Sequence, residues 1–473
     1  MTAVTVEYDL LVIGSGSAGM AAAIRAAELG ATAAIVESGD VVGGTCVNVG
    51  CIPSKNLVEA AHRYHLARTA FPGIAACDPV LAWDAVLRQK REIVESLRAE
   101  KYVDVLNGYP GIALLRGKAE LVSGGRVRVG SRDVIARRIV IATGTRPAMP
   151  EIPGLREAGA LDSTTAMDLE RLPESMIVIG GGSIGLELGQ VFHRFGVRVI
   201  ILEAVDRILP CEDPEISAGL TATLKIEGIE IRTGIRVSAV ERTARGYSVA
   251  VEQAGAGTRL EAERLLVATG RRPNTEELGL RTAGVATDRR GFIEVDELLR
   301  TSNADVFAAG DVTGAPGFVY VAALQGGIAA QAALATIVGA EAIPIDLSTV
   351  PRVTFTDPQV AAVGMTESDA LAAGMAPRVT SLELRHLPRA AVSHQRHGLI
   401  KLLDEPETGR LLGAHVLSPN AGDLIGEATL AVRFGLTSRD LVSTIHAYLT
   451  WGEGLKLAAQ TFTKDVSRLS CCA

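Results

Sequence analysis

Asp9–Ile13 is a short apolar run of strand length. A glycine-spaced turn, Gly14-Ser15-Gly16-Ser17-Ala18-Gly19, follows at once, and then an alanine-rich stretch that reads as a helix to about Leu29. A second apolar run, Thr32–Val36, ends at Glu37. Short, continuously apolar runs bounded by such turns suit parallel strands buried on both faces. The pattern then repeats: Met176–Ile179, the turn Gly180-Gly181-Gly182-Ser183-Ile184-Gly185, a helix to about Phe195, and a strand Arg198–Leu202 ending at Glu203. Ala142-Thr143-Gly144-Thr145-Arg146-Pro147 and Ala268-Thr269-Gly270-Arg271-Arg272-Pro273 match each other, each after a β-rich stretch, which predicts a duplicated architecture. Val306-Phe307-Ala308-Ala309-Gly310-Asp311 reads as a buried strand ending in an acid. Beyond a linker at Ile343-Pro344-Ile345-Asp346 the period changes to two. Arg352–Thr356, Arg378–Glu383, Gly398–Leu403 and Leu411–Val416 predict an antiparallel sheet, followed by helical patterns at Ala421–Phe434 and Gly452–Phe462.

The expected fold class is therefore α/β, with two Rossmann-like dinucleotide-binding domains and a C-terminal α+β domain. The boundaries read as 1–150 with 280–342 for the first domain, 151–279 for the second, and 347–473 for the third. Length agrees, since 473 residues suggest roughly three domains at about 150 residues each. Fifty glycines, 48% hydrophobic residues and only 4% aromatics suit a chain full of tight strand-to-helix turns. A net charge of −7 gives no reason to expect nucleic acid or an anionic membrane as partner. The start carries no signal-peptide pattern and no uninterrupted apolar run reaches about 18 residues, so no membrane insertion is expected. Six cysteines in so long a chain are no disulfide framework. Four of them stand in pairs, which fits working thiols in a reducing, cytoplasmic setting.

The chemistry begins with the two turns. Glycines at 14, 16 and 19, and at 180, 182 and 185, allow the turn and the close approach of a pyrophosphate. Glu37 and Glu203 stand where a ribose diol is bound. Two complete fingerprints imply two dinucleotides, and hence electron transfer between them. Asp311 is placed for a contact to a flavin ribityl chain or phosphate. Cys46 and Cys51 are separated by four residues. In an ideal helix their Cα atoms would lie about 8–9 Å apart, whereas a disulfide needs about 4.4–6.8 Å. The backbone between them must be irregular, and Gly50 and Pro53 supply the means. Pro53 suits the first turn of a following helix, which puts Cys51 near a helix N-terminus where a thiolate is stabilised. Cys471 and Cys472 are a vicinal pair suited to holding or passing on a soft metal. Cys77 and Cys211 have no partner motif.

The double fingerprint, Cys46-x-x-x-x-Cys51 and Gly310-Asp311 resemble the flavin disulfide reductases along essentially the whole chain. Within that family Phe318–Ala323, Tyr448-Leu449-Thr450, Glu453–Phe462 and the Cys471-Cys472 tail are similar to the mercuric reductases, as their catalytic core without an N-terminal metal-binding domain. The resemblance implies FAD, NAD(P)H as cosubstrate, and reduction of Hg(II) to Hg(0), a step in mercury detoxification. It implies that Cys51 is the thiolate in charge-transfer contact with the flavin and Cys46 the interchange thiol facing substrate. Cofactor contacts are implied at Thr45, Ala119, Gly144, Gly270, Asp311 and Val319, and an ion pair between Lys55 and Glu187 beside the flavin and nicotinamide rings. Tyr102 matches a tyrosine near the metal. A homodimer is implied, with active sites shared between subunits and Cys471 and Cys472 acting on the partner's thiols, so that Cys46, Cys51, Cys471 and Cys472 are the metal-binding set.

One position separates this chain from relatives that reduce organic disulfides. They carry a His as base for the leaving thiol, and His446-Ala447-Tyr448-Leu449-Thr450-Trp451-Gly452-Glu453 places Tyr448 there. A phenol with a pKa near 10 does not shuttle protons efficiently at neutral pH. His446, two positions away, reads as structural. Hg(II) needs no such base, because it moves between thiolates by ligand exchange. The alternatives are dihydrolipoamide dehydrogenase or a related reductase, favoured by Glu203 and by Asp206-Arg207-Ile208-Leu209-Pro210, and a non-catalytic thiol metal scavenger, opposed by the two nucleotide sites. Glu203 favours NADH over the 2′-phosphate of NADPH, while Arg207 lies near enough in sequence to offset part of that repulsion.

Overall fold

A computed structural model describes residues 6–123 and 125–465, so Cys471 and Cys472 lie outside the described residues. The chain divides into two compact units. One comprises 1–56, 84–148 and 270–346, the other 57–83, 149–269 and 347–473.

In the first unit a seven-stranded sheet has a parallel core. Strand Val6–Ile13 pairs in parallel with Ala33–Glu37 on one side and Arg132–Ile141 on the other. Ile112–Arg116 and Val306–Ala308 extend the sheet outward. Leu10, Leu11 and Val12 are fully buried, as continuous apolar runs in a two-sided sheet must be. The helix Ser17–Glu28 packs on the sheet through alanines and lies against a second helix, Val319–Val338. That second helix is long and apolar enough to cross a membrane by length and composition. Here its face of Val321, Ala322, Gly326, Ala329, Ala330, Ala333 and Leu334 is buried in the core of the unit. At Gly326 the two backbones meet: a Cβ there would stand 2.1 Å from the Ala18 carbonyl oxygen. The matching motifs at 145–147 and 271–273 pair with one another as a two-stranded antiparallel ribbon.

The second unit holds a four-stranded parallel sheet in the order Glu230–Arg232, Arg198–Leu202, Ser175–Ile179 and Arg264–Val267. A three-stranded meander, Arg236–Thr243, Gly246–Gln253 and Ala256–Ala262, accompanies it. Beyond residue 347 comes a five-stranded antiparallel sheet. Four of its strands coincide closely with the alternating segments. The fifth, Gln359–Gly364, unread in the sequence, is buried through Val360–Val363 and pairs with Leu411–Ser418.

One polar face of the helix Ser183–Arg194 is fastened to the segment that enters this sheet. The Ser183 and Thr354 hydroxyls lie 2.7 Å apart, and Phe355 N–H donates to Glu187 Oε1 at 2.8 Å. Gln190 exchanges two hydrogen bonds with the Asp357 backbone, and Arg194 Nη2 donates to Asp357 Oδ2 at 2.9 Å. Burial pushes the Asp357 carboxyl up, but the hydrogen bond to His62 and the charge of Arg194 outweigh it and hold the group at about 2. A carboxyl depressed in the folded state stabilises fully above its ordinary value near 3.8 and stops doing so as pH falls through the folded value. The contribution is about 2 kcal/mol. Asp357→Asn should therefore lower the urea midpoint at pH 6, and the gap to the parent should narrow between pH 4 and pH 2. A gap of constant size across that window would show that the charge is not what matters.

Candidate active site

The two fingerprint turns are built alike. In the first unit a Cβ at Gly14 would stand 2.4 Å from the Ala142 oxygen, and one at Gly19 would stand 1.9 Å from the Gly14 oxygen. These two glycines let turn, helix and neighbouring strand close on each other. A Cβ at Gly16 meets nothing nearer than Gly44 Cα at 3.8 Å, so that side of the turn is open. Gly16 caps the helix Ser17–Glu28 with no side-chain hydrogen bond, leaving the first-turn N–H groups directed at an anion's place. In the second unit Gly180 and Gly185 are crowded in the same way, at 2.4 and 2.1 Å from the Ala268 and Gly180 oxygens, and Gly182 is open. Both turns fit a dinucleotide pyrophosphate, and the residues present suit two such ligands.

Around the first turn the structure gathers most of the first unit's candidate residues. Gly43 N–H donates to the Ser15 hydroxyl at 3.1 Å, and Ser15, fully buried, donates to Glu37 Oε2 at 2.5 Å. Gly43 takes φ +105°, and a Cβ on Gly44 would lie 2.6 Å from Gly16 Cα. The chain thus leaves the fingerprint turn in direct backbone contact and enters the short helix Gly44–Val49, which carries Thr45 and Cys46. Asn48 Nδ2 ties this helix back to the Val42 and Gly44 oxygens at 2.9 Å each, and Arg98 holds the Asn48 oxygen at 3.1 Å. Gly50 breaks the helix, at φ −127° and ψ −112°, and a new helix, Cys51–Arg68, starts at Cys51. The irregular backbone that the spacing requires is this break, with Pro53 in the first turn beyond it.

The two sulfurs interact directly. The hydrogen bond that the Cys46 thiol donates to the Cys51 sulfur, then burial, then the charge on Cys51 push the Cys46 thiol up, against smaller pulls from the Cys51 backbone N–H and from Lys55. Cys46 therefore keeps its proton while its partner carries charge, and the pair titrates as a unit. Lys55, half-buried, lies one turn along the helix from Cys51. Tyr102 lies within electrostatic reach of both sulfurs: burial first, then the charges of Cys46 and Cys51, raise its phenol above the usual value, while a hydrogen bond with Ser17 lowers it. The phenol is neutral at physiological pH. Tyr102 sits in a π-helical stretch, Ala99–Val103, and such stretches re-aim side chains and are frequent at functional sites.

Asp311 accepts from the Thr145 hydroxyl at 2.9 Å, and Arg271 Nε donates to that hydroxyl at 2.7 Å. Gly310 N–H, beside it, donates to Gln325 Oε1 at 2.7 Å. Ala119 opens a strand, Val319 opens the helix Val319–Val338, and Gly144 and Gly270 flank the two-stranded ribbon. In the second unit Glu203 accepts from Gly181 N–H at 2.7 Å, and Glu187 is buried against Phe355 N–H. Tyr448 is half exposed in the same unit. His446 is engaged, with Nε2 2.7 Å from Glu427 Oε1 and Nδ1 3.0 Å from the Thr444 oxygen. Ser15, Ser17, Asn48 and Arg98 went unread in the sequence. Two sit at variable fingerprint positions, and none carries a signal until the fold brings it to the thiol helices.

Known proteins resemble this chain over nearly its whole length. Residues 8–326 match the pyridine nucleotide-disulphide oxidoreductase family, and residues 350–459 match its dimerisation domain. The chain is 45% identical to mercuric reductase from Staphylococcus aureus over 99% of its own length and 84% of that protein's. It is 46% identical to mercuric reductase from Streptomyces lividans, covering 98% of each. Among solved structures, the HOCl-induced flavoprotein disulfide reductase RclA from Escherichia coli superposes with a TM-score of 0.85 at 30% identity, covering 97% of this chain and all of that one. The chain belongs to the pyridine nucleotide-disulphide oxidoreductases and, within them, to the mercuric reductases.

Proposed function

We propose that the chain reduces Hg(II) to Hg(0) with NAD(P)H as electron donor and Cys46 and Cys51 as the thiols that hold the metal. Overall, Hg(II) and NAD(P)H give Hg(0), NAD(P)+ and one proton. The observation that carries the reading is the thiol pair itself, split across the Gly50 break with Tyr102 alongside. FAD, when bound, supplies two-electron transfer between the nicotinamide and the thiols. The first fingerprint, with Gly14, Gly16, Gly19 and Glu37, would hold it, with Asp311 on the ribityl chain or phosphates. Cys51, at the first residue of its helix, is the anionic sulfur, stabilised by the helix N-terminus and by Lys55. Cys46 accepts the metal and gives up its proton as the bond to Hg(II) forms. Tyr102, a neutral phenol, hydrogen-bonds a thiolate or its metal adduct without competing for the metal, since Hg(II) prefers sulfur.

Cys471 and Cys472 take Hg(II) from competing thiols and hand it to Cys46 and Cys51 of the partner subunit. A Cys471→Ser/Cys472→Ser double variant should lose most activity when Hg(II) is offered with excess dithiol, and little with HgBr2. Equal losses with both would rule out the relay. The dimerisation domain supports a homodimer, and we place the enzyme in the cytoplasm, where paired thiols stay reduced. Tyr448, with His446 occupied by Glu427, disfavours organic disulfides as substrates. Hg(II)-dependent NAD(P)H oxidation against lipoamide-dependent NADH production tests the reading. Brisk lipoamide turnover with none on Hg(II) would replace it with a dihydrolipoamide dehydrogenase.

A further inference from the structure

The two fingerprints build one ribose clamp twice. In the first, Ser15 N–H donates to Glu37 Oε2 at 3.2 Å and Gly39 N–H to Oε1 at 2.7 Å. In the second, Gly181 N–H donates to Glu203 Oε2 at 2.7 Å and Val205 N–H to Oε1 at 3.0 Å. The turns ahead of the acids agree as well: Gly14 N–H meets the Val36 oxygen and Gly180 N–H the Leu202 oxygen, both at 2.8 Å. Each carboxylate is pinned through both oxygens by backbone, with lone pairs left over for a diol. Glycine at 181 leaves the carboxylate its place, since a Cβ there would stand 3.1 Å from Glu203 Oε2.

The first clamp would face the adenosine of FAD, whose ribose carries no 2′-phosphate. We infer that the second is built for the same kind of ribose, free at its 2′-hydroxyl, so that NADH is the donor and Glu203 the residue that rejects NADPH. The inference deepens the proposed function and rests on its premise that the second turn takes a nicotinamide dinucleotide. A 2′-phosphate beside Glu203 would need a forked cation to balance it. Arg207 is the nearest in sequence; its Nη2 donates to the Pro210 oxygen at 3.0 Å and its Nη1 to Asp206 Oδ1 at 3.3 Å, and its Nε is buried without a partner among the described residues. Arg232, whose backbone oxygen receives Glu203 N–H, sends its Nε to Glu230 at 2.6 Å. Arg236, next to the Ile235 whose N–H meets the Glu203 backbone oxygen, sends its Nη1 to Glu252 Oε2 at 3.2 Å, so the terminal nitrogens of Arg207 and the side chains of Arg232 and Arg236 are turned to carboxylate or carbonyl oxygen.

Titration calorimetry of the FAD-loaded protein with NAD+ and with NADP+ tests this without any turnover. NAD+ should bind at least about tenfold more tightly, equivalent to about 1.4 kcal/mol. Glu203→Gln, which keeps the size and the acceptor oxygen but removes the charge, should bring the two affinities within about threefold of each other. Glu203→Ala should shift the ratio of kcat/KM toward NADPH by about tenfold or more. If the Ala variant fails to fold, the Gln variant decides. Equal or tighter NADP+ binding by the parent protein would overturn the inference and leave Hg(II) reduction standing. An unchanged ratio in Glu203→Gln would overturn the assignment to this residue. Failure of both nucleotides to bind would remove the inference together with the dinucleotide reading beneath it.

Discussion

Cys46→Ala and Cys51→Ala will each abolish Hg(II)-dependent NADH oxidation, with losses of about a thousandfold or more, the scale seen when a covalent participant is removed. The two losses have different causes. In the proposed roles, loss of Cys51 leaves the helix N-terminus at residue 51 with no thiolate to stabilise, and the electron path ends short of the metal. Without Cys46 that thiolate persists but has no second sulfur to share the metal, which Hg(II) needs for two-coordinate thiolate binding. Absorbance separates them: the long-wavelength thiolate band of the reduced flavoprotein should vanish in Cys51→Ala and remain in Cys46→Ala. The reverse pattern would exchange the two roles. Neither substitution should unfold the protein, because both side chains are only partly buried and the helix break belongs to Gly50.

The second large effect concerns glycine. Gly19→Ala places a carbon 1.9 Å from the Gly14 carbonyl oxygen, a backbone atom with no rotamer to yield. Relief requires prising the helix Ser17–Glu28 from the turn, at a cost above about 3 kcal/mol. Gly16→Ala adds the same methyl on the open side of the turn, 3.8 Å from Gly44 Cα. It should leave the apoprotein's thermal midpoint nearly unchanged while weakening flavin retention severalfold, because the methyl enters the space a pyrophosphate requires. Thermal unfolding and flavin release, measured on both variants, check the contrast. Matching behaviour would mean that the crowded and open sides of the turn have been misassigned.

Much of this was legible in the sequence because the decisive features are local. The fingerprints declare themselves through glycine spacing after a short apolar run, and their second strands lie within a residue of expectation: 33–37 against 32–36, and 198–202 as read, while the first strand begins three residues earlier, at Val6 against Asp9. The demand for irregular backbone between Cys46 and Cys51 follows from helix geometry alone, and Gly50 meets it. What stayed hidden is what the fold assembles from distant parts of the chain. Strand Gln359–Gly364 offers only the four apolar residues Val360–Val363, too short a run to stand out, although its neighbour Leu411–Ser418 is buried just as fully. Ser15 and Ser17 look like filler between glycines until one is found bonded to Gly43 and Glu37 and the other to Tyr102. The face of Ser183, Glu187, Gln190 and Arg194 has helical spacing, but nothing in the sequence announces Thr354–Asp357 as what it meets.

The central claim is that electrons from a nicotinamide leave this chain on mercury, through Cys46 and Cys51. Its most direct measurement is the release of Hg(0) vapour from the FAD-loaded dimer, followed alongside NADH consumption with thiol-complexed Hg(II) as the only acceptor. The account predicts one Hg(0) per NADH oxidised in the parent protein, and none above background in Cys46→Ala or Cys51→Ala. NADH consumption without Hg(0), or Hg(0) release that survives loss of either thiol, would contradict it.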